Sequence, residues 1–232
     1  MENVKELIRS TVISCGAQGC GFAAMDRFES ALPGHKPTDA YPDCKTVIAF
    51  FIALPAGLSK VEPQFIYNRF NALNADRADL TALRAAVEIE QKFGCFVVPV
   101  PTDGPVNEYD DEQLRARGIL SMRHAAQAAG LGRIGKNNLF ANKDYGTLVT
   151  IGAMMTDLEL ESDPMAEPLC LESCHKCIDN CPTKAIQPDQ TVQLRCRPYT
   201  YGTGIRGYSI VNCNKCRVAC VNALGERKKT LK

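Results

Sequence analysis

Apolar positions along the chain follow two periods. Val4, Leu7, Ile8 and Val12, with Thr11 among them, fall at helical spacing and predict a helix that stops at Gly16. A short strand over about residues 21–25 follows. Residues 46–54 (TVIAFFIAL) are continuously apolar between Pro42 and Pro55, which predicts a central strand in a sheet covered on both faces. Leu80, Leu83, Val87 and Phe93 share one face of a predicted helix ending at Gly94. Residues 95–100 (CFVVPV) are a further strand candidate, weakened by Pro99. A helix over 121–129 is expected to end at Gly130, and 147–155 (TLVTIGAMM) to form another apolar strand. The alternation predicts an α/β domain over residues 1–163. Residues 163–168, with two prolines, mark the boundary, and 164–232 form a second unit.

Composition narrows the class only a little. The chain has 232 residues, 45% of them hydrophobic, enough for one ordinary core plus an appendage. Its 27 basic and 26 acidic residues leave no global field to attract nucleic acid or anionic lipid. No apolar run is long enough to span a bilayer, and the N-terminus is read as an amphipathic helix start, so no membrane partner and a cytoplasmic location are expected.

The twelve cysteines change the picture. Cys15, Cys20, Cys44 and Cys95 are scattered and are read as small buried hydrophobes. The other eight crowd into the C-terminal part, which in a reducing compartment points to metal rather than disulfides. Cys170, Cys174, Cys177 and Cys181 have spacings of three, two and three residues and are followed by Pro182. Cys213, Cys216 and Cys220 repeat the two-and-three core, and Cys196 supplies a fourth thiolate. The arrangement resembles the two-cluster bacterial ferredoxins, in which the fourth cysteine of each run ligates the other cluster. By that rule one [4Fe–4S] cluster takes Cys170, Cys174, Cys177 and Cys220, and the other takes Cys181, Cys196, Cys213 and Cys216. The first gap is one residue longer than usual and Val221 replaces a second proline, but no ligand is lost. Paired structural zinc sites are the competing reading. The doubled three-cysteine run favours iron–sulfur. His175, between ligands, is read as a bystander.

Residues 129–140 (AGLGRIGKNNLF) are similar to the AGLGxxGKNxL signature of the epoxyqueuosine reductases, relatives of the corrinoid reductive dehalogenases. Residues 33–37 (PGHKP), 41–48 (YPDCKTVI) and 144–146 (DYG) match in the same order. The resemblance implies a nitroreductase-like cobalamin-binding domain followed by a two-cluster ferredoxin-like module. Gly130, Gly132 and Gly135 allow positive φ and close backbone approach, and Lys136, Asn137 and Asn138 supply donors. With Leu131, they are expected to form the corrinoid edge, with Arg123 and His124 upstream facing the same cofactor. Taken alone, without the cysteine module, the loop reads rather as a helix-ending turn with solvated side chains.

Two departures bear on mechanism. Epoxyqueuosine reductases carry an acidic residue just before the glycine signature, whereas residues 116–123 (ARGILSMR) hold no carboxylate. Asp103 and Tyr109 are therefore the candidate proton donors, with Asp110 and Asp111 behind them, although all four read equally as solvated turn residues. The sequence stops soon after Cys220 at ERKKTLK, without the helical-repeat domain by which many relatives grip tRNA, and a tRNA partner is doubtful.

The expectation is a cobalamin-dependent oxidoreductase. A ferredoxin or flavodoxin supplies electrons, two [4Fe–4S] clusters carry them, and a corrinoid reduces a small or nucleoside-like substrate. The alternatives are an electron-transfer protein that activates a partner's cobalamin, and an iron–sulfur reductase using FMN. The substrate, cobalt ligation and oligomeric state are not legible.

Overall fold

Strand β2 (Thr46–Ala53) organises the molecule. Its seven residues from Thr46 to Ile52 are buried, and their side chains alternate between two cores. Ile48, Phe50 and Ile52 point into one apolar cluster, and Val47 and Ala49 into the other. The computed structural model describes residues 2–102 and 108–231.

The main sheet has the order β1-β2-β8-β3, with β1 at Gly19–Ala24, β3 at Val97–Val100 and β8 at Val149–Thr156. All three pairings are antiparallel, so the helices alternating with strands in the sequence do not make parallel crossovers. Pro99 sits on the edge strand β3, where a missing N–H is tolerated.

Helices α1 (Glu2–Ser14) and α3 (Asn68–Phe93) cover one face of the sheet, and a short helix α2 (Pro37–Ala40) precedes β2. The apolar stripe expected on α3 is corrected by the structure. Leu80, Leu83 and Val87 are 51%, 54% and 46% exposed, whereas Ala78, Ala82, Ala85, Ala86 and Ile89 are buried. Methyl-sized side chains let the helix axis approach the bulky β2 residues closely, so packing selects the alanine face over the leucine face.

The opposite face is covered by α4 (Met122–Ala128), capped by Ser121 and Ala129. Two small hairpins frame it: β4 (Glu108–Asp110) with β5 (Arg115–Arg117), and β6 (Arg133–Ile134) with β7 (Phe140–Ala141). Beyond residue 163 come α5 (Lys176–Asp179), α6 (Gln193–Thr200), the β9 (Tyr201–Thr203) and β10 (Ser209–Val211) hairpin, and α7 (Lys215–Val218). Asp163 is anchored to α1 by Lys5 at 2.7 Å and Arg9 at 3.1 Å, and accepts the Phe22 N–H at 3.3 Å. Among the described residues, no helix is long and apolar enough to cross a membrane.

Candidate functional site

Helices α5 and α7 pack together, and each delivers cysteines in two directions. Cys177 lies within α5 and Cys181 just past its end; Cys216 and Cys220 stand likewise on α7. Cys177 interacts electrostatically with Cys170 and Cys220, and Cys220 with Cys170 and Cys174. Cys216 interacts with Cys181, Cys196 and Cys213. The thiols therefore collect into two quartets, each drawing three members from one run or its neighbourhood and one from the other. Burial is the first cause of the raised pKa values of Cys177, Cys220 and Cys216, the last pushed up to about 11, and the neighbouring thiols add to it. Such thiols ionise readily only when cations are supplied among them.

Two sulfurs of the second quartet, those of Cys181 and Cys196, already have hydrogen-bond partners. The Ala185 N–H reaches Cys181 Sγ at 3.3 Å, and burial of that thiol is outweighed by donors from Ile186, Thr183 and Ala185, which lower its pKa. Thr183 and Thr200 hydroxyls lie 3.7 and 3.4 Å from Cys181 and Cys196. Among the described residues, no three His, Cys, Asp or Glu side chains gather tightly enough for a single metal ion. Four thiolates that each bind a different iron of a cubane do not need to meet at one point.

The glycine segment stands against the first quartet. Gly135, Lys136 and Asn137 line a small cavity together with Cys170, Cys174, Cys177 and Cys220. Lys136 Nζ donates to the carbonyls of Leu171, Glu172 and Cys174 at 3.3, 2.5 and 3.1 Å. Buried Asn137 donates to Cys216 O at 3.2 Å, so adjacent residues tie down both cysteine runs.

A second cavity of about 890 Å³ opens on the other side of α4. Arg27, His35, Arg115, Arg117, Arg123 and His124 contribute its charged and titratable wall, and Phe28, Leu120 and Met122 much of its apolar one. Arg117 is paired with Glu108 at 2.7 Å, and Arg115 with Asp110 at 3.5 Å. His124 shares a hydrogen with Ser121 Oγ at 2.7 Å, and burial followed by the Arg123 charge lowers its pKa, so it stands neutral at pH 7.

The residues expected at the cofactor fall in different places. Arg123 and His124 do face a large cavity, but Gly130, Leu131, Gly132, Gly135, Lys136, Asn137 and Asn138 are absent from its wall. Of the three glycines only Gly130 has a positive φ, +74°. A Cβ on Gly132 would lie 2.2 Å from the Ala141 carbonyl oxygen, so the β6–β7 hairpin itself requires a glycine there. Leu131 packs against both apolar clusters beneath α4. Asn138 is itself left-handed (φ +59°), and its carbonyl accepts from Arg123. Tyr109 is 47% exposed and away from the cavity wall, its ring drawn to the Arg197 guanidinium of α6 at 5.9 Å. Asp110 is engaged by the Gln113 N–H and Arg115. Asp103 lies outside the described residues. His35, present in the PGHKP segment but assigned no role from sequence, lines the cavity with Nδ1 2.8 Å from Gly118 O and Nε2 3.6 Å from Glu108.

No protein-family model matches the chain. An epoxyqueuosine reductase of Lactococcus garvieae is 27% identical across 95% of the chain, which spans 70% of that protein. An epoxyqueuosine reductase solved with an epoxyqueuosine-modified tRNA-Tyr stem loop superposes with a TM-score of 0.65 at 21% identity, covering 96% of this chain and 66% of that one. A reductive dehalogenase described in terms of B12-dependent dehalogenation superposes with a TM-score of 0.65 at 17% identity over 91% of this chain and 30% of its own. This chain is thus similar to epoxyqueuosine reductases over nearly its whole length while spanning about two thirds of theirs, and it has a mixed α/β fold like theirs and that of the reductive dehalogenase.

Proposed function

We propose that this oxidoreductase is a corrinoid-dependent iron–sulfur reductase, with residues 1–163 as a nitroreductase-like cofactor domain and 164–232 as a two-cluster ferredoxin-like module. The observation that carries the reading is one contact. Arg123, in the wall of the large cavity, donates to the carbonyl of Asn138, the residue next to the Gly135–Asn137 stretch beside the first cysteine quartet. A single loop therefore touches a residue of the cavity wall and both cysteine runs.

The residues fit the implied groups. Eight thiols in two sets, with N–H and hydroxyl donors on the sulfurs of the second, suit two [4Fe–4S] clusters, which when bound supply one-electron transfer at low potential. In this reading Cys170, Cys174, Cys177 and Cys220 would hold one cluster and Cys181, Cys196, Cys213 and Cys216 the other. A cavity of about 890 Å³ lined by both apolar side chains and arginines suits a large amphiphilic cofactor together with a substrate. A corrinoid bound there would supply the reducing chemistry. The chain's own contribution is position and charge. Arg123 and Arg27 face polar groups on the cofactor, while apolar Phe28, Leu120 and Met122 exclude water. With no carboxylate on the described cavity wall, His35 is the group placed to hold a proton there, its Nδ1 facing Gly118 O and its Nε2 facing Glu108.

A ferredoxin or flavodoxin is the electron donor in this reading, and the substrate is small or nucleoside-like. A tRNA substrate follows from the relative solved with a tRNA stem loop and is tested directly. Anaerobically reconstituted protein should hold about eight iron and eight sulfide per chain and bind one cobalamin by equilibrium dialysis. Arg123→Ala should weaken cobalamin binding by about tenfold with iron retained, the loss expected of a charge-assisted hydrogen bond. Reduction of epoxyqueuosine nucleoside but not of the tRNA stem loop supports the small substrate. Full iron without corrinoid binding would favour a carrier that activates a partner's cobalamin, and FMN bound in its place would favour a flavin enzyme.

A further inference from the structure

Thr147 is an unused buried hydroxyl beside the first quartet. It is 1% exposed, and its Oγ1 has no hydrogen-bond partner among the described residues. Its side chain contributes to the wall of the same cavity as Cys170, Cys174, Cys177 and Cys220. The Thr147 N–H donates to Ala223 O at 3.1 Å, and the Ala223 N–H donates to Cys220 O at 3.0 Å, so the residue is fixed two hydrogen bonds from a quartet member. Leaving a hydroxyl without an acceptor in a dry site is costly, and valine has nearly the same shape without that cost.

The other polar side chains on this wall are already committed. Lys136 is spent on three carbonyls, and Asn137 on Cys216 O and the Leu139 N–H. Four cysteine sulfurs line the same cavity as candidate acceptors. The second quartet displays the same pairing, with threonine hydroxyls near Cys181 and Cys196.

We infer that Thr147 donates its hydroxyl hydrogen to a sulfur of the cluster held by Cys170, Cys174, Cys177 and Cys220, and thereby raises that cluster's reduction potential. The inference rests on the proposed reading that this quartet holds a [4Fe–4S] cluster. Reduction adds negative charge to the cluster, and a donor pointing at its sulfur stabilises the reduced form more than the oxidised one. Thr147 is then a positioning residue for electron flow, making that cluster easier to reduce than it would be without the hydroxyl.

The test is a redox titration of the anaerobically reconstituted full chain, followed by electron paramagnetic resonance. Thr147→Val keeps the shape and removes the hydroxyl; Thr147→Ala removes the hydroxyl with a different volume; Thr147→Ser keeps it. Both hydroxyl-free variants should shift one midpoint to lower potential by roughly a three- to tenfold change in the reduced-to-oxidised ratio at fixed potential, the range of one lost hydrogen bond. Tenfold corresponds to about 59 mV for one electron. The other midpoint and the iron content should stay as in the parent, and Thr147→Ser should restore the parent value. The midpoint that moves should be the one altered by Cys220→Ser. Full iron with unmoved midpoints in Thr147→Val and Thr147→Ala would overturn the inference and leave the clusters standing. A parent chain that takes up no cluster at this quartet would overturn the cluster reading, and the inference with it.

Discussion

Lys136 Nζ lies 3.1 Å from the carbonyl oxygen of Cys174 and shares its remaining hydrogens with the carbonyls of Leu171 and Glu172. A single ammonium on the glycine segment thus closes the loop between the first two cysteines of the C-terminal module. Removing it leaves those carbonyls to water, at a cost of about 1 kcal/mol once solvent screening is allowed for. In Lys136→Ala, iron should be extracted by a chelator about fivefold faster than in the parent, while cobalamin affinity stays unchanged. A large drop in cobalamin affinity with normal iron retention would return Lys136 to the cofactor.

Gly132 is governed by the β6–β7 hairpin. A Cβ there would meet the Ala141 oxygen at 2.2 Å and the Phe140 ring at 2.7 Å. Gly132→Ala should destabilise the chain by about 1–3 kcal/mol and lower its Tm by several degrees. Thermal unfolding followed by circular dichroism measures it, and an unchanged Tm would show that the hairpin opens at no cost.

Cys220 groups with Cys170, Cys174 and Cys177 rather than with its sequence neighbours Cys213 and Cys216. Cys220→Ser should alter the resonance of one reduced cluster and leave intact the one lost in Cys196→Ser. If the two variants disturb the same signal, the crossed assignment is wrong.

Cys20 and Cys44 are buried thiols whose pKa values burial pushes up to about 12 and about 11 from an ordinary 9. Around Cys20 the Arg9 charge opposes the shift, while Asp163 and Glu6 add to it. Both thiols are neutral in the folded chain below pH 9, where they cost nothing. Above pH 9 the unfolded chain ionises them first, so stability falls as pH rises from about 9 toward 12. Cys20→Ala should flatten the fall in urea midpoint between pH 9 and 10.5, and in native protein at pH 8 neither thiol should react with iodoacetamide. A pH slope identical to the parent's would place the loss elsewhere.

The strands of the main sheet were legible because each is a short apolar run bounded by turn-formers, and the cysteine spacings were legible because local chain geometry dictates which thiols lie near one another. Helix α3 was legible as a helix but not as to which face it buries. Periodicity marks Leu80, Leu83 and Val87, while the packing distance to Phe50 and Ile52 selects the alanines. The glycine segment divides in the same way. Its residue types announce close approach, and only the tertiary structure decides what is approached: Pro164 and Ala141 backbone for Gly130 and Gly132, and the two cysteine runs for Lys136 and Asn137. Of the large cavity the sequence marked only Arg123 and His124; Arg27, His35 and Arg117 come from separate segments and meet them only when the sheet and α4 are assembled. By itself the sequence determined element types and which thiols are near neighbours along the chain. The direction each side chain faces was left to folding, because burial is settled by contacts between residues far apart in sequence.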